Sequence, residues 1–153
     1  MRVLTGLRDG AAGRRVAVGE YELDDDPARV DRDVVWEFLS TEAYWGRSRS
    51  RADVETQIDA AWRVLGAYRR DTGEMVGFAR AVSDGVSVGY LADVFVLPSA
   101  RGAGLGKAVV AELVGDGRIR WILFTDDAHD LYRRYGFGPP DGTCLVLSRR
   151  ETV

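Results

Sequence analysis

Residues 94–107 read VFVLPSARGAGLGK and combine the end of a strand pattern, a glycine-rich segment and the start of a helical repeat. The apolar start of this stretch ends a long strand pattern that begins at Val86, and Pro98 stops that strand. Glycines then precede an apolar repeat of about 3.6 residues through Leu105 and Val109, which predicts a helix. Unpaired N–H groups at a helix start attract anions, and glycines let an anion come close. The stretch therefore predicts an anion-binding loop between a strand and a helix.

The loop does not match two common nucleotide-binding motifs. A Walker loop needs glycine at position 101 and serine or threonine at 108, where this chain has Arg101 and Ala108. A dinucleotide fingerprint that starts at position 102 or 104 needs glycine at 107, or glycine or alanine at 109, where the chain has Lys107 and Val109. Both ATP and NAD are disfavoured as ligands.

The flanking patterns predict strands and helices around this loop. Alternation predicts a strand over residues 14–23, and turn signals at 71–73 and 83–85 predict an antiparallel meander. The meander covers residues 64–70, 75–83 and 86–97; a short buried strand at 121–124, parallel to the long strand, and a closing strand at 143–148 follow. Further helices are predicted after Asp31 or Asp33, over 51–63, and from Thr125 or Asp126 to about Tyr135.

Composition indicates one domain without structural zinc or disulfides. The chain has 153 residues, 46% of them apolar and 29% charged, as expected for one globular domain. We interpret residues 1–13 as a loosely ordered lead-in, with at most a short strand at residues 2–4, and residues 14–153 as that domain.

No apolar run of about 20 residues and no secretory signal is seen, which predicts a cytoplasmic protein. One cysteine, Cys144, which we expect to be buried, and one histidine exclude a disulfide within the chain and a Cys/His zinc site. A net charge of −3 argues against nucleic acid as the main partner.

A second block, TDDAHDLYRRYGF at residues 125–137, identifies a resemblance. Together with the Arg-x-x-Gly-x-Gly pattern of Arg101, Gly104 and Gly106, it resembles the GCN5-related N-acetyltransferase (GNAT) superfamily, with Thr125 where asparagine is common. The two blocks cover about residues 86–138. A closer similarity, which includes Ala43-Tyr44-Trp45 and residues 76–80, is to uncharacterised bacterial members.

The resemblance implies a fold and an activity. The fold is of α/β (α+β) class, with a mixed, mostly antiparallel sheet of six to seven strands, about four helices, and a splay between the fourth and fifth strands. The activity is transfer of an acetyl group from acetyl-CoA to a primary amine by direct attack in a ternary complex, without a metal. The acceptor is a small-molecule or peptide amine, no nucleic acid or membrane partner is implied, and a homodimer is compatible. The alternative is a non-catalytic acyl-CoA sensor; the phenol of Tyr132 favours the enzyme. A third hypothesis, a nucleotide-binding or phosphosugar-binding protein, is supported by the glycine-rich loop alone.

The resemblance also implies which residues contact coenzyme A. Backbone groups on the long strand hold the pantetheine arm, the loop holds the pyrophosphate, and two residues come from the second block. These residues are Val94, Phe95, Val96, Arg101, Gly102, Ala103, Gly104, Leu105, Gly106, Lys107, Thr125 and Leu131.

Two residues are the catalytic candidates. Tyr132 matches the superfamily position whose hydroxyl approaches the coenzyme sulfur, which implies a general acid. Asp93 is the leading candidate base, because an acid within an apolar strand is costly unless it is paired or used. Asp93 could equally form a salt bridge with Arg80 across the Asp84 turn, or bind a cationic acceptor.

The acceptor side is predicted from residue types. Tyr44 and Trp45 follow a predicted helix end, where aromatic faces can receive an ammonium group. Arg80 and His129 complete the candidates. His129 lies one residue after Ala128, so on a helix it points away from the Tyr132 face, which favours an acceptor-side or structural role over a catalytic one.

Overall fold

The fold is a six-stranded sheet with helices on both faces. A computed structural model describes residues 14–43 and 48–150, so the predicted lead-in at 1–13 and both aromatic candidates, Tyr44 and Trp45, lie outside the described residues. The strands are β1 (Arg15–Val18), β2 (Tyr21–Asp24), β3 (Arg63–Arg69), β4 (Met75–Ser83), β5 (Val88–Val96) and β6 (Arg120–Ile122). The helices are α1 (Arg32–Thr41), α2 (Arg51–Ala60), α3 (Leu105–Val114) and α4 (His129–Arg134), with single 3-10 turns at Pro27–Arg29 and Pro98–Ala100.

The strands are ordered in the sheet as they are in the chain, from β1 to β6. Every neighbouring pair is antiparallel except β5 and β6, which are parallel and joined through α3. The predicted meander, the parallel pair and the predicted fold class are therefore confirmed. The single strand predicted over residues 14–23 is wrong, since a tight turn with Gly19 at φ +58° folds it into the β1–β2 hairpin.

Each face of the sheet carries its own core. On one face α3 packs through Leu105, Val109, Val110 and Leu113. On the other, α1 and α2 pack through Val35, Phe38, Leu39, Val54 and Ile58. Side chains alternate between the two faces along a strand, so the central strands supply apolar residues to both cores. The site is thereby held on a sheet that is covered on both sides.

Capping side chains fix where α1 and α2 begin. The Asp31 carboxylate accepts a hydrogen bond from the N–H of Val34, as one of the two predicted caps requires. Ser50 and Asp53 form a reciprocal capping box at the start of α2. Helix α2 ends at Ala60, three residues earlier than predicted, because Arg63 already pairs with Ala81 in the sheet.

The C-terminal quarter departs most from the sequence predictions. Strand β6 has three residues rather than four, and Ile122 and Phe124 are 37% and 66% exposed instead of buried. Helix α4 begins at His129, four residues later than the first predicted cap. The closing strand predicted at 143–148 is absent from the sheet, and Cys144 is exposed rather than buried. In the described part of the chain no strand pairs with the outer edge of β6, which accounts for the exposure of Ile122.

No helix within residues 14–43 and 48–150 is long and apolar enough to cross a membrane.

Candidate active site: a cleft between two splayed strands

The site is a cleft that opens where β5 and β6 separate. The two strands pair only over Val88–Arg120, Gly89–Trp121 and Tyr90–Ile122. Beyond Tyr90, strand β5 continues for six residues to Val96 without β6 beside it. The cleft has a volume of about 890 Å³ and is lined by residues 91–96 of β5 and residues 123–125 after β6. This is the predicted splay between the fourth and fifth strands. These strands are β5 and β6 in the structure, because the first predicted strand is the β1–β2 hairpin and every later strand number rises by one.

A bulge in β5 shapes one wall of the cleft. Phe78 pairs with Phe95 and Arg80 pairs with Ala92, so Ala79 alone faces two residues of β5. The extra residue allows Asp93 to adopt φ +55°, which is the only positive φ of a non-glycine residue in the described part of the chain. Such a conformation in a β-strand costs about 1–3 kcal/mol and is kept where its surroundings enforce it. The bulge therefore marks the point on β5 where the site is built.

The start of α3 forms a second wall. Gly104 precedes the helix with φ +77°, and no side chain among the described residues caps the first N–H groups. These groups carry the positive end of the helix dipole and remain available to an anion. Lys107 lines the cleft beside them. Arg101 also lines it, and its Nε–H donates to the Val96 carbonyl at 3.0 Å, which fixes the turn on the strand end.

The third wall is α4, which carries Tyr132. This half-buried ring packs edge to face against Tyr135 and Phe137, with ring centroids 6.0 and 5.8 Å apart. The N–H of Ala128 donates to the Thr125 hydroxyl at 3.1 Å, which turns the chain from β6 into the helix. Tyr132 and Thr125 both line the cleft. The strand, the loop and the helix predicted from two separate blocks of sequence thus meet around one cavity.

Asp93 is held by two arginines. Its carboxylate accepts from Arg80 Nε at 2.6 Å, and it accepts two hydrogen bonds from Arg49, at 2.8 and 3.0 Å. Arg49 also donates to the Gln57 side chain at 2.6 Å, which ties the cluster to α2. Burial disfavours the charged form of Asp93, but the two guanidinium groups outweigh it and hold the pKa of Asp93 below its usual value. At neutral pH this aspartate is therefore an ionised partner of two cations.

Residues 20–137, most of the chain, match the Acetyltransferase (GNAT) family. The chain belongs to the GNAT family.

Solved and curated relatives agree with this assignment. A crystal structure of a GNAT-family protein from Xanthomonas campestris pv. campestris superposes with a TM-score of 0.77 at 33% identity, over 88% of this chain and 95% of that one. Two plant proteins are similar in sequence. GCN5-related N-acetyltransferase 1, chloroplastic, of Arabidopsis thaliana is 35% identical over 110 residues, 67% of this chain. Serotonin N-acetyltransferase 2, chloroplastic, of Oryza sativa subsp. japonica is 52% identical over 88 residues, 52% of this chain. The chain spans 56% and 44% of the lengths of these two proteins.

The GNAT cleft brings together most of the predicted site residues. Of the residues predicted to contact coenzyme A, all but Ala103 line it. Tyr132, Asp93 and Arg80 also line it. His129 is exposed at the start of α4 and is not part of the cleft lining.

Two arginines of the cleft were not predicted from the sequence. Arg49 lies 44 positions before the aspartate that it binds, and no local pattern marks that pairing. Arg149 reaches the cleft from the C-terminal segment. The unexplained buried charge of Asp93 was the available signal for Arg49, since a buried carboxylate requires a cationic partner. From that signal only Arg80 was predicted as the partner of Asp93.

Proposed function

We propose that this chain is an acetyl-CoA-dependent N-acetyltransferase that acetylates a primary amine by direct attack within a ternary complex. The observation that carries the proposal is the splayed pair of β5 and β6, with the uncapped start of α3 on one side and Tyr132 on the other. Family membership supports the same reaction class.

The residues of the cleft fit coenzyme A. The first N–H groups of α3 and the ammonium of Lys107 suit a pyrophosphate. Residues 94–96 of β5 have no β6 strand beside them, so their peptide groups suit the amides of a pantetheine arm. A side chain at position 106 would meet the Tyr135 hydroxyl at 3.5 Å, an ordinary contact, so packing inside the protein does not require this glycine. Close approach of a ligand to the loop would require it.

Acetyl-CoA supplies an acetyl thioester, whose carbon–sulfur bond breaks as the amine nitrogen bonds to the acetyl carbon. Tyr132 would donate its phenolic proton to the departing sulfur; the pKa values of a phenol and a thiol, about 10 and 8.5, are close enough for a positioned phenol to transfer the proton. Asp93 would act by position: with its oxygens held by Arg49 and Arg80, it fixes the β5 bulge and joins α2 to the cleft. The amine attacks as the neutral free base, the positively charged nitrogen formed by the attack loses a proton to solvent, and the Tyr132 phenolate regains a proton from solvent. Much of the rate comes from holding both reactants together.

The acceptor is proposed to be a small aromatic amine. Phe38, Tyr90 and Phe124 line the part of the cleft not assigned to the coenzyme. An aromatic ring can pack on these side chains in offset or edge-to-face geometry. The name of the rice relative supports an amine of this class.

The test is a calorimetric titration of the protein with acetyl-CoA, with ATP and NAD as parallel ligands. We expect micromolar binding of acetyl-CoA alone. Thiol release is then followed with serotonin, tyramine, spermidine and a lysine-containing peptide, and the two aromatic amines should react fastest. Absence of acetyl-CoA binding by folded protein would reject the proposal. Binding without thiol release from any amine would support the alternative, a non-catalytic acyl-CoA sensor.

A further inference from the structure

Arg80 is buried but keeps most of its hydrogen-bonding capacity unused. Its Nε–H donates to Asp93 at 2.6 Å, while Nη1 and Nη2, which carry four further N–H donors, have no hydrogen-bond partner among the described residues. Only 7% of the side chain is exposed, and the side chain lines the cleft. The small surface that Arg80 keeps therefore faces the cleft. Since buried donors are normally satisfied, this end of Arg80 suits an acceptor group on a ligand.

Nη1 and Nη2 of Arg80, here called the Arg80 fork, have the geometry that a carboxylate requires. A guanidinium group presents its donors in one plane, and two adjacent N–H groups match the two oxygens of a carboxylate. The orientation of Arg80 is fixed through Asp93, which also accepts hydrogen bonds from Arg49 at 2.8 and 3.0 Å. The fork is thus held in place before any ligand arrives, which lowers the entropic cost of binding.

The charges around the Arg80 fork also favour an anion. Asp93 is shared by Arg49 and Arg80, which leaves one positive charge in excess. Arg149 lines the cleft and adds another. Within the described part of the chain, the other acid of the lining is Asp127, which belongs to the α4 wall. The end of the cleft that holds the fork is therefore positive.

Arg149 approaches this end of the cleft from the C-terminal segment. The pKa of Asp53, at the start of α2, is lowered by hydrogen bonds from Ser50 and further by the charges of Arg49 and Arg149. Both arginines therefore lie near the same end of α2. Gln57 of that helix accepts from Arg49 at 2.6 Å. Arg149 is exposed, so it provides a second cation that an incoming anion can reach.

The position of the Arg80 fork along β5 relates it to the reacting atoms. A pantetheine arm that leaves the start of α3 and follows β5 passes Val96 first and Val94 last, so its thioester end comes near Asp93. Because Arg80 donates to Asp93, the fork lies beside that end. A carboxylate in the fork and an amine at the thioester would then be close neighbours, as they are in an α-amino acid.

Aromatic side chains line the cleft on the same stretch of β5. Arg80 pairs with Ala92, and Tyr90, two residues earlier on that strand, lines the cleft. The ring centroids of Tyr90 and Phe124 are 5.8 Å apart, and Phe38 lines the cleft from α1. An aromatic side chain of the acceptor can pack on these rings.

We propose that the acceptor is an aromatic α-amino acid, whose carboxylate is bound by the Arg80 fork so that its amine is placed at the thioester. This inference rests on the proposed acetyltransferase function and specifies its acceptor. Arg80 then has two roles: its Nε–H positions Asp93, and its Nη groups select the substrate. A polyamine is disfavoured, because it would bring further positive charge to a positive site.

The first test uses the wild type and acceptors that differ only in the carboxylate. In the thiol-release assay, kcat/KM for tyrosine should exceed kcat/KM for tyramine by about tenfold or more, because tyramine leaves the fork unpaired. Two compounds without an amine provide a second readout. Of these, 3-(4-hydroxyphenyl)propionate carries the carboxylate and should compete with tyramine, whereas 4-ethylphenol should compete far more weakly.

The outcomes of this test distinguish the two proposals. Equal kcat/KM values for tyrosine and tyramine, or equal inhibition by the two amine-free compounds, would overturn the amino-acid proposal while acetyl transfer to tyramine stands. Absence of thiol release with every amine would reject the proposed function and this inference with it.

The second test changes the fork itself. Arg80→Lys keeps a cation beside Asp93 but removes the paired donors. Its KM for tyrosine should rise by about tenfold more than its KM for tyramine, and calorimetry with acetyl-CoA checks that the variant is folded. An equal loss of kcat with both amines and an unchanged ratio of their KM values would overturn the proposal and indicate a role of Arg80 in the chemical step.

Arg149→Gln is a second variant that alters an exposed side chain and leaves the buried pair intact. The preference for tyrosine over tyramine should fall about threefold, as expected for an exposed charge. The matched control is Arg118→Gln, at an exposed arginine outside the cleft lining, which should keep the wild-type preference. An unchanged preference in both Arg80→Lys and Arg149→Gln would contradict the proposal.

Discussion

The phenol of Tyr132 distinguishes the two proposed functions of this cleft, an N-acetyltransferase and a non-catalytic acyl-CoA sensor. Replacing Tyr132 with phenylalanine keeps the edge-to-face packing on Tyr135 and Phe137 but removes the proton that we assign to the leaving thiolate. We expect turnover to fall at least tenfold, in line with the usual contribution of general acid catalysis, while calorimetric affinity for acetyl-CoA stays nearly constant.

The matched control for that experiment is Tyr21→Phe. Tyr21 lies on β2, outside the cleft lining, and its hydroxyl accepts a long 3.5 Å hydrogen bond from Arg69. Turnover of this variant should equal that of the wild type. If Tyr132→Phe also retains full turnover, the acid assignment is wrong.

Asp93 provides a second test of a single residue, through the free energy of unfolding. Asp93→Asn leaves Arg49 and Arg80 without a buried anion, and removal of one partner from a buried ion pair costs about 3–5 kcal/mol. Because the folded-state pKa of Asp93 is lowered, its contribution is complete above the unfolded pKa of about 3.9 and is lost as pH falls through the folded value. The free energy of unfolding, measured with urea at pH 7, 5 and 3, should therefore differ between Asp93→Asn and the wild type by an amount that becomes smaller at low pH.

The control is Asp59→Asn, which removes an exposed partner of Arg32 and should cost under about 1 kcal/mol.

Kinetic measurements distinguish a positioning role of Asp93 from a role as the general base. A positioning role predicts a raised acceptor KM and an unchanged acid limb in the plot of kcat/KM against pH. Unchanged stability together with loss of that limb would restore Asp93 as the base.

At the scale of elements, the loop before α3 can be tested without harming the fold. Gly106 lies in the first turn of α3, and its added methyl group would make only an ordinary contact, 3.5 Å from the Tyr135 hydroxyl. Gly106→Ala should leave stability unchanged or raise it by about 0.5–1 kcal/mol, since alanine favours a helix over glycine. Calorimetry should nonetheless show acetyl-CoA affinity reduced at least tenfold, because the methyl group occupies space that the pyrophosphate needs.

The outcome that would count against this role is an alanine variant that is more stable and binds acetyl-CoA as well as the wild type. The glycine would then serve the turn alone. Gly102→Ala makes a useful comparison, because φ is +89° at that position and the substitution should lower stability by itself.

Some strands and helices could be predicted from the sequence alone, and others could not. The strand, loop and α3 were predictable because their signals lie within about 25 consecutive residues: an apolar strand, a proline, glycines and a helical repeat. The Arg49–Asp93 contact was not, since it joins positions 44 apart and depends on how α2 sits over β5. The strand character of residues 143–148 was predictable, but strand propensity does not specify a partner, and this segment finds none within the described chain.

For the whole molecule, acetyl-CoA should act as a stabiliser, because it would contact elements on both sides of the splay. A ligand present at 100 times its Kd adds about 2.7 kcal/mol to the folded state. For a protein of this size that corresponds to a rise of about 5–10 °C in Tm. Thermal unfolding with acetyl-CoA, ATP and NAD in parallel should show the rise with acetyl-CoA alone. A similar shift with ATP would indicate a general anion effect at the loop rather than coenzyme recognition.

The order of the strands in the sheet has a consequence for synthesis. Because β1 to β5 follow one another in space as they do in the chain, each strand can dock on its predecessor as it leaves the ribosome. By Val96 the nascent chain holds the five antiparallel strands and both helices of one core, but it has only one wall of the cleft. The second and third walls arrive with α3, β6 and α4. A ribosome that stops at Val96 therefore releases a chain with five of the six strands, one face of the sheet without its covering helix α3, and no place for a coenzyme.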